Sequence, residues 1–100
     1  MYISIIVPVF NEKDNISILV KEIYEKLHNI KFEIIIVDDN STDGTIEKLD
    51  ELKYRFSFEL YVRKNERGLA TAQKFGFSKA KGDYVGTLDV NSKDQPLYFK

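Results

Sequence analysis

Acidic or amide side chains stand directly behind three apolar runs of this 100-residue chain. Ile5-Ile6-Val7-Pro8-Val9-Phe10 leads into Asn11-Glu12, Ile34-Ile35-Ile36-Val37 into Asp38-Asp39, and Tyr84-Val85-Gly86-Thr87-Leu88 into Asp89-Val90-Asn91. A buried strand that ends in a carboxylate offers an acceptor to ribose hydroxyls or to base N–H groups. Asp89 and Asn91, oxygen donors two residues apart, form a partial shell for Mg²⁺ or Mn²⁺ holding a diphosphate. Arg67-Gly68, followed by Leu69-Ala70-Thr71-Ala72, brings a cation and small residues that let a helix start come close to a phosphate or sugar.

Other polar residues read more plainly. Asp43 fits a helix cap within the turn from Asn40 to Thr45, and Arg63 and Lys64 fit solvated charges on an edge strand. Of the two adjacent acids, Asp39 is expected to face a ligand, while its neighbour serves the loop backbone. Asn11 and Glu12 fit helix entry as well as they fit a ligand. Pro8, with a fixed φ and no N–H, suits an exit from the sheet that presents the backbone of Val9 and Phe10 to a flat ligand. The single histidine, His28, suits a cap or surface role.

Strand-like runs at about 2–9, 33–38, 58–63 and 83–89 alternate with three segments of helical period, which is the pattern of an α/β fold with parallel strands and crossover helices. The first, second and fourth runs are nearly continuous in apolar residues and are expected to be covered on both faces. In the third, Phe58, Leu60 and Val62 alternate with Ser57, Glu59 and Tyr61, so it is placed at an edge. That gives the order 3-2-1-4 and puts the reversal of winding between strands one and four, where ligands of such sheets bind. Ile16, Leu19, Val20, Ile23 and Leu27 share one face of the first helix, capped by Asp14 or Asn15. The second helix follows Ser41 to Asp43 and buries Ile46, Leu49 and Leu52. The third begins near Leu69 and is expected to stop at a left-handed Gly82.

Composition narrows the function. With 43% hydrophobic and 31% charged residues the chain is an ordinary globular domain, and without cysteine it has no disulfide and no thiol chemistry. Residues 1–50 carry five Lys and ten acids, residues 51–100 ten Lys or Arg and six acids, and the net charge is −1. That balance argues against general nucleic-acid binding. No apolar stretch reaches the ~20 residues of a spanning helix. A Gly-x-Gly-x-x-Gly turn after the first strand is missing, which excludes the usual dinucleotide oxidoreductase.

The blocks Val7-Pro8-Val9-Phe10-Asn11-Glu12, Val37 to Thr45, Asn65-Glu66-Arg67-Gly68-Leu69-Ala70-Thr71-Ala72 and Ala80 to Val85 with Leu88 to Asn91 resemble, in this order, the family 2 glycosyltransferases of GT-A fold. The likeness spans nearly the whole chain. Gly68 to Ala72 and Lys93-Asp94-Gln95-Pro96 are most similar to the polyprenyl-phosphate sugar transferases of the dolichol-phosphate mannose synthase type. The resemblance implies a Rossmann-like half, residues 1–100, that binds a GDP- or UDP-sugar for transfer of a hexose to an acceptor such as a polyprenyl phosphate, with the acceptor-binding half absent. It implies Pro8, Asn11, Glu12 and Asp39 around the base and ribose, with Arg67 and Gly68 in the same donor site. Asp89 takes the first position of the family's Asp-x-Asp metal motif. Asn91 takes the last, where a neutral amide in place of a carboxylate weakens the hold on Mg²⁺ or Mn²⁺.

The expected place of action is the cytoplasm or the cytoplasmic face of a membrane. Two alternatives belong to other classes. One is a receiver-like module holding Mg²⁺ beside a phosphorylatable Asp, although its acidic pair is expected after the first strand. The other is a binding-only remnant whose open face, left by the missing half, is covered by self-association.

Overall fold

The computed structural model describes residues 1–90. Four parallel strands, β1 (Tyr2–Val9), β2 (Lys31–Asp38), β3 (Glu59–Val62) and β4 (Tyr84–Thr87), form one sheet in the order β3-β2-β1-β4. Helices α1 (Lys13–Lys26), α2 (Thr45–Leu52) and α3 (Leu69–Lys79) make the crossovers. The α/β class, the order and the edge position of the third strand are as expected.

Alternation along β1 and β2 divides the core between the two faces. Ile3, Ile5, Val7 and Val9 with Ile34 and Ile36 pack against Ile16, Val20 and Ile23 of α1 and Leu49 and Leu52 of α2. Ile6, Ile35 and Val37 meet Ala72 of α3 on the other face. Full burial of each such aliphatic side chain contributes about 1.5–3 kcal/mol. α3 lies very close to the sheet, because a Cβ on Gly76 would stand 2.3 Å from Cγ2 of Ile6. A glycine inside a helix weakens it; here it permits that approach.

Several local expectations are corrected. β4, at the edge that the order gives it, is not covered on both faces, with Tyr84 53% and Val85 39% exposed, and it pairs with β1 over only four residues. Tyr61 does not point to solvent but packs edge-on against Phe75 of α3, with ring centroids 5.4 Å apart. Neither Asp14 nor Asn15 caps α1. Its N-cap residue is Glu12, whose carbonyl accepts from the amides of Asn15 and Ile16, and Oδ2 of Asp43 accepts the amide of Lys13 from across the loop at 3.3 Å. α3 ends at Lys79 with Ala80 extended, and Gly82 is not left-handed. Gly82 is small because a Cβ there would lie 2.7 Å from the carbonyl oxygen of Tyr2 and 2.8 Å from the amide of Ser4. His28 caps as expected, its Nδ1 2.9 Å from the carbonyl oxygen of Glu25.

A polar network at the amino ends of the strands fixes that close approach. Glu33 Oε2 accepts from Ser4 Oγ at 2.5 Å and from the amide of Lys81 at 2.7 Å, and Ser4 Oγ accepts the amide of Gly82 at 2.8 Å. Beside it Tyr61 donates to Glu59 at 2.7 Å, a bond that raises the phenol's pKa. The segment leading into β4 is thereby locked to the lower rim of the sheet.

Candidate functional site

At the carboxyl ends of the strands the chain opens into a cleft of about 290 Å³, lined by Pro8, Val9, Phe10, Glu12, Asp39, Arg67, Gly68, Leu69 and Asp89. It lies where β4 parts from β1, at the reversal of winding. The last β1–β4 register pair is Ile6 with Thr87, and Leu88 then donates its amide to the carbonyl of Ile6. Val9 bonds toward β2, its carbonyl accepting the amide of Asp39. By strand alternation Pro8 therefore faces the side that β4 has left, and its missing N–H costs no ladder bond. Phe10 and Arg67 meet across the mouth, the guanidinium 4.4 Å from the ring centroid.

Glu12, Asp39 and Asp89, distant in sequence, thus face one cleft together with Pro8, Arg67 and Gly68. Asn11 is not among the lining residues. Its φ is +52°, a left-handed value that Asn tolerates. It serves the loop after β2 instead: its amide donates to Ser41 Oγ at 2.9 Å, and its Oδ1 accepts the amide of Thr42 at 2.8 Å. Glu12 has both roles that its position allowed. Its backbone starts α1 and donates to Thr45 Oγ1 at 3.0 Å, while its carboxylate, held by Asn15 Nδ2 at 3.0 Å, lines the cleft. Asn91, with Lys93 to Pro96, lies outside the described residues.

The adjacent acids divide as their alternation requires. Asp38 is fully buried and turned into the loop, accepting the amide of Ser41 at 2.8 Å and its hydroxyl at 2.6 Å. A receiver-like site needs converging acids, and this pair diverges. The N-cap of α2 is Gly44, one residue beyond the candidates Ser41 to Asp43, and Asp43 serves the helix start from outside it, accepting the amide of Thr45 at 3.0 Å and also its hydroxyl. The hydroxyl bond is the main reason that its carboxyl lies below its ordinary pKa, against a smaller opposing effect of desolvation.

Arg63 is the residue that sequence reasoning misplaced. It is 8% exposed rather than solvated, and its fork meets Asp39, itself 6% exposed. Nε donates to Oδ1 at 2.7 Å and Nη2 to Oδ2 at 2.9 Å. The bond to Asp39 raises the guanidinium's pKa, outweighing desolvation. A signal for this pairing lay in the topology: β3 runs in register with β2, Asp38 beside Val62, so the next residue of each strand also falls side by side.

A divalent cation bears on this cleft through its donor chemistry. The cleft presents only oxygen donors, which suits a hard cation, and Asp89 is among them. Asp39 is committed to Arg63 and Gly68, and among the described residues no group of three or more His, Cys, Asp or Glu side chains is gathered as a metal site. No helix of those residues is long and apolar enough to cross a membrane.

The profile of the glycosyl transferase family 2 matches residues 4–96. The chain is 39% identical over 97 residues to the dolichol-phosphate mannosyltransferase of Saccharomyces cerevisiae, covering 93% of this chain and 36% of that protein. It is 35% identical over 96 residues to the dolichol-phosphate mannosyltransferase of Pyrococcus furiosus, covering 96% and 27%. Among solved structures it is similar to the mannosyltransferase PcManGT of Pyrobaculum calidifontis in complex with GDP-Man and Mn²⁺, with a TM-score of 0.81 and 29% identity over 89% of this chain and 27% of that one. The chain spans roughly a third of the length of these curated relatives.

Proposed function

The chain belongs to glycosyl transferase family 2, and from that membership together with the cleft we propose that residues 1–100 are the donor-binding part of a glycosyltransferase. The donor is a nucleotide-diphospho-sugar, a GDP- or UDP-hexose, and the acceptor a polyprenyl phosphate. The observation that carries the reading is the meeting of Glu12, Asp39, Asp89 and Arg67 in one cleft at the reversal of the sheet. Dolichol phosphate in the names of two relatives and GDP-Man in a similar structure favour this donor and acceptor.

In this reading Pro8 and Asp39 border the base and ribose, and Asn11 acts on them indirectly by holding the Ser41–Thr42 loop. Glu12 offers its carboxylate to the sugar end of the nucleoside. Arg67 and the start of α3 at Gly68 face the diphosphate, where a guanidinium and the positive end of a helix favour anions. Asp89 and Asn91 would hold Mg²⁺ or Mn²⁺, which when bound offsets charge on the diphosphate. A lipid phosphate is already anionic, so attack at the anomeric carbon needs positioning more than deprotonation. The residues present here accordingly bind and orient the donor, and such an acceptor places the work at the cytoplasmic face of a membrane. Self-association of the chain belongs to the same proposal, and sedimentation equilibrium showing only monomer overturns that part.

Titration calorimetry with GDP-mannose and UDP-sugars in the presence of Mn²⁺ tests the reading. Binding of one donor by the wild-type chain, lost in Asp89→Ala, supports it. A folded wild-type chain that binds none of them rejects it. Transfer to a polyprenyl phosphate, assayed separately, distinguishes catalysis by these residues from binding alone.

A further inference from the structure

Gly68 has φ 132° and ψ 142°, backbone that essentially only glycine adopts, at the start of α3 and on the cleft wall. Such a conformation persists only where its surroundings hold it. Here both of its backbone groups are gripped by one ion pair. Its amide donates to Oδ2 of Asp39 at 2.9 Å, and its carbonyl accepts from Nη2 of Arg63 at 3.2 Å. The same Nη2 reaches Thr71 Oγ1 at 3.1 Å, and Nη1 approaches Glu66 at 3.4 Å. Arg63 does not itself line the cleft.

We propose that Arg63 is a positioning residue of this cleft: through Asp39 and Gly68 it joins the ends of β2 and β3 to the start of α3 and sets the wall against which an anionic nucleotide lies. The charge balance gives the reason. Asp39 lines the cleft beside Arg67 and Gly68. A carboxylate on that wall without a cation behind it would repel an entering diphosphate, and the buried guanidinium of Arg63 compensates Asp39. Its planar fork is also what distinguishes it from lysine, whose ammonium can supply the charge but not two parallel bonds to one carboxylate.

The inference rests on the donor-binding reading for its ligand, but the clamp on Gly68 can be measured without one. Amide hydrogen exchange by NMR reports Gly68 directly, and titration calorimetry with GDP and with UDP, each with Mn²⁺, reports the cleft. In Arg63→Met the Gly68 amide is expected to exchange about tenfold faster or more, and affinity for the preferred nucleotide to fall by a similar factor, the size of coupling found within one hydrogen-bonded network. Arg63→Lys, which keeps the charge, is expected to fall between wild type and Arg63→Met in both measurements. It is the variant on which the proposal is judged if Arg63→Met does not fold. The double variant Arg63→Met with Asp39→Asn, which keeps an acceptor for the amide without burying a lone charge, is expected to restore slow exchange at Gly68. Unchanged exchange at Gly68 in a folded Arg63 variant, or unchanged affinity where the wild type binds, overturns the proposal. If the wild type binds neither nucleotide the donor-binding reading falls, and the clamp is then decided by exchange alone.

Discussion

The two ends of the sheet use a similar device for different purposes. At the amino ends, Glu33 collects Ser4 Oγ and the amide of Lys81 and locks the approach to β4. At the carboxyl ends, Asp39 also collects a loop amide, that of Gly68, but its charge is met by a buried guanidinium and it remains part of a cleft wall. A carboxylate that gathers hydroxyls and an amide fastens a loop. Once compensated by a cation from a neighbouring strand, it can also face a ligand.

Four measurements would break or sharpen this contrast. The largest effect is expected for Asp39→Ala, which strands the Arg63 guanidinium, a side chain only 7% exposed. Breaking a buried pair from one side costs about 3–5 kcal/mol, and urea unfolding should show that loss together with abolished nucleotide binding. Gly82→Ala comes next. Its Cβ would meet the backbone of Tyr2 and Ser4 rather than a yielding side chain, so a loss of about 1–3 kcal/mol is expected, with nucleotide affinity unchanged. If affinity falls in step with stability, the two ends are not independent.

Glu33→Ala should cost about 1–3 kcal/mol, the penalty for leaving polar partners unsatisfied, and again spare the cleft. The smallest effect concerns Asp43, whose lowered pKa comes first from the Thr45 hydroxyl. A carboxyl with a lowered folded-state pKa contributes stability that is present above its usual value of 3.8 and is lost as pH falls through the folded value. Asp43→Asn should therefore lower stability slightly at neutral pH and converge with the wild type below the folded value, which makes the acid limb of the stability curve shallower.

The frame of the molecule was legible because β1 and β2 carry the apolar runs Ile5 to Val9 and Ile34 to Val37 and α1 keeps one clean face. The order of strands followed from the alternation at Phe58 to Val62. The cleft was legible in outline, since Glu12, Asp39 and Asp89 are each tied to a strand end. Arg63 was not, because a charge after an edge strand looks solvated until the register sets it beside Asp39. Gly82 misled in another way: a glycine after a helix suggests a left-handed cap, whereas here it is the room beside Tyr2 and Ser4 that requires it. Helix entry at Glu12 was one of its two readings, whereas the contact of Asp43 with the amide of Lys13 was not legible, since it comes from a different loop.

The pairing of Ile3 with Tyr84 brings residues from opposite ends of the described chain side by side. While the chain is being synthesised, β1 and β2 can join early, yet β1's other edge waits for roughly 45 more residues, on the order of several seconds at ~5–20 residues per second. Throughout that interval Ile3 to Ile6 present a bare apolar border, a template for another nascent chain. Slow translation between β2 and β4 would therefore lower the yield of folded protein.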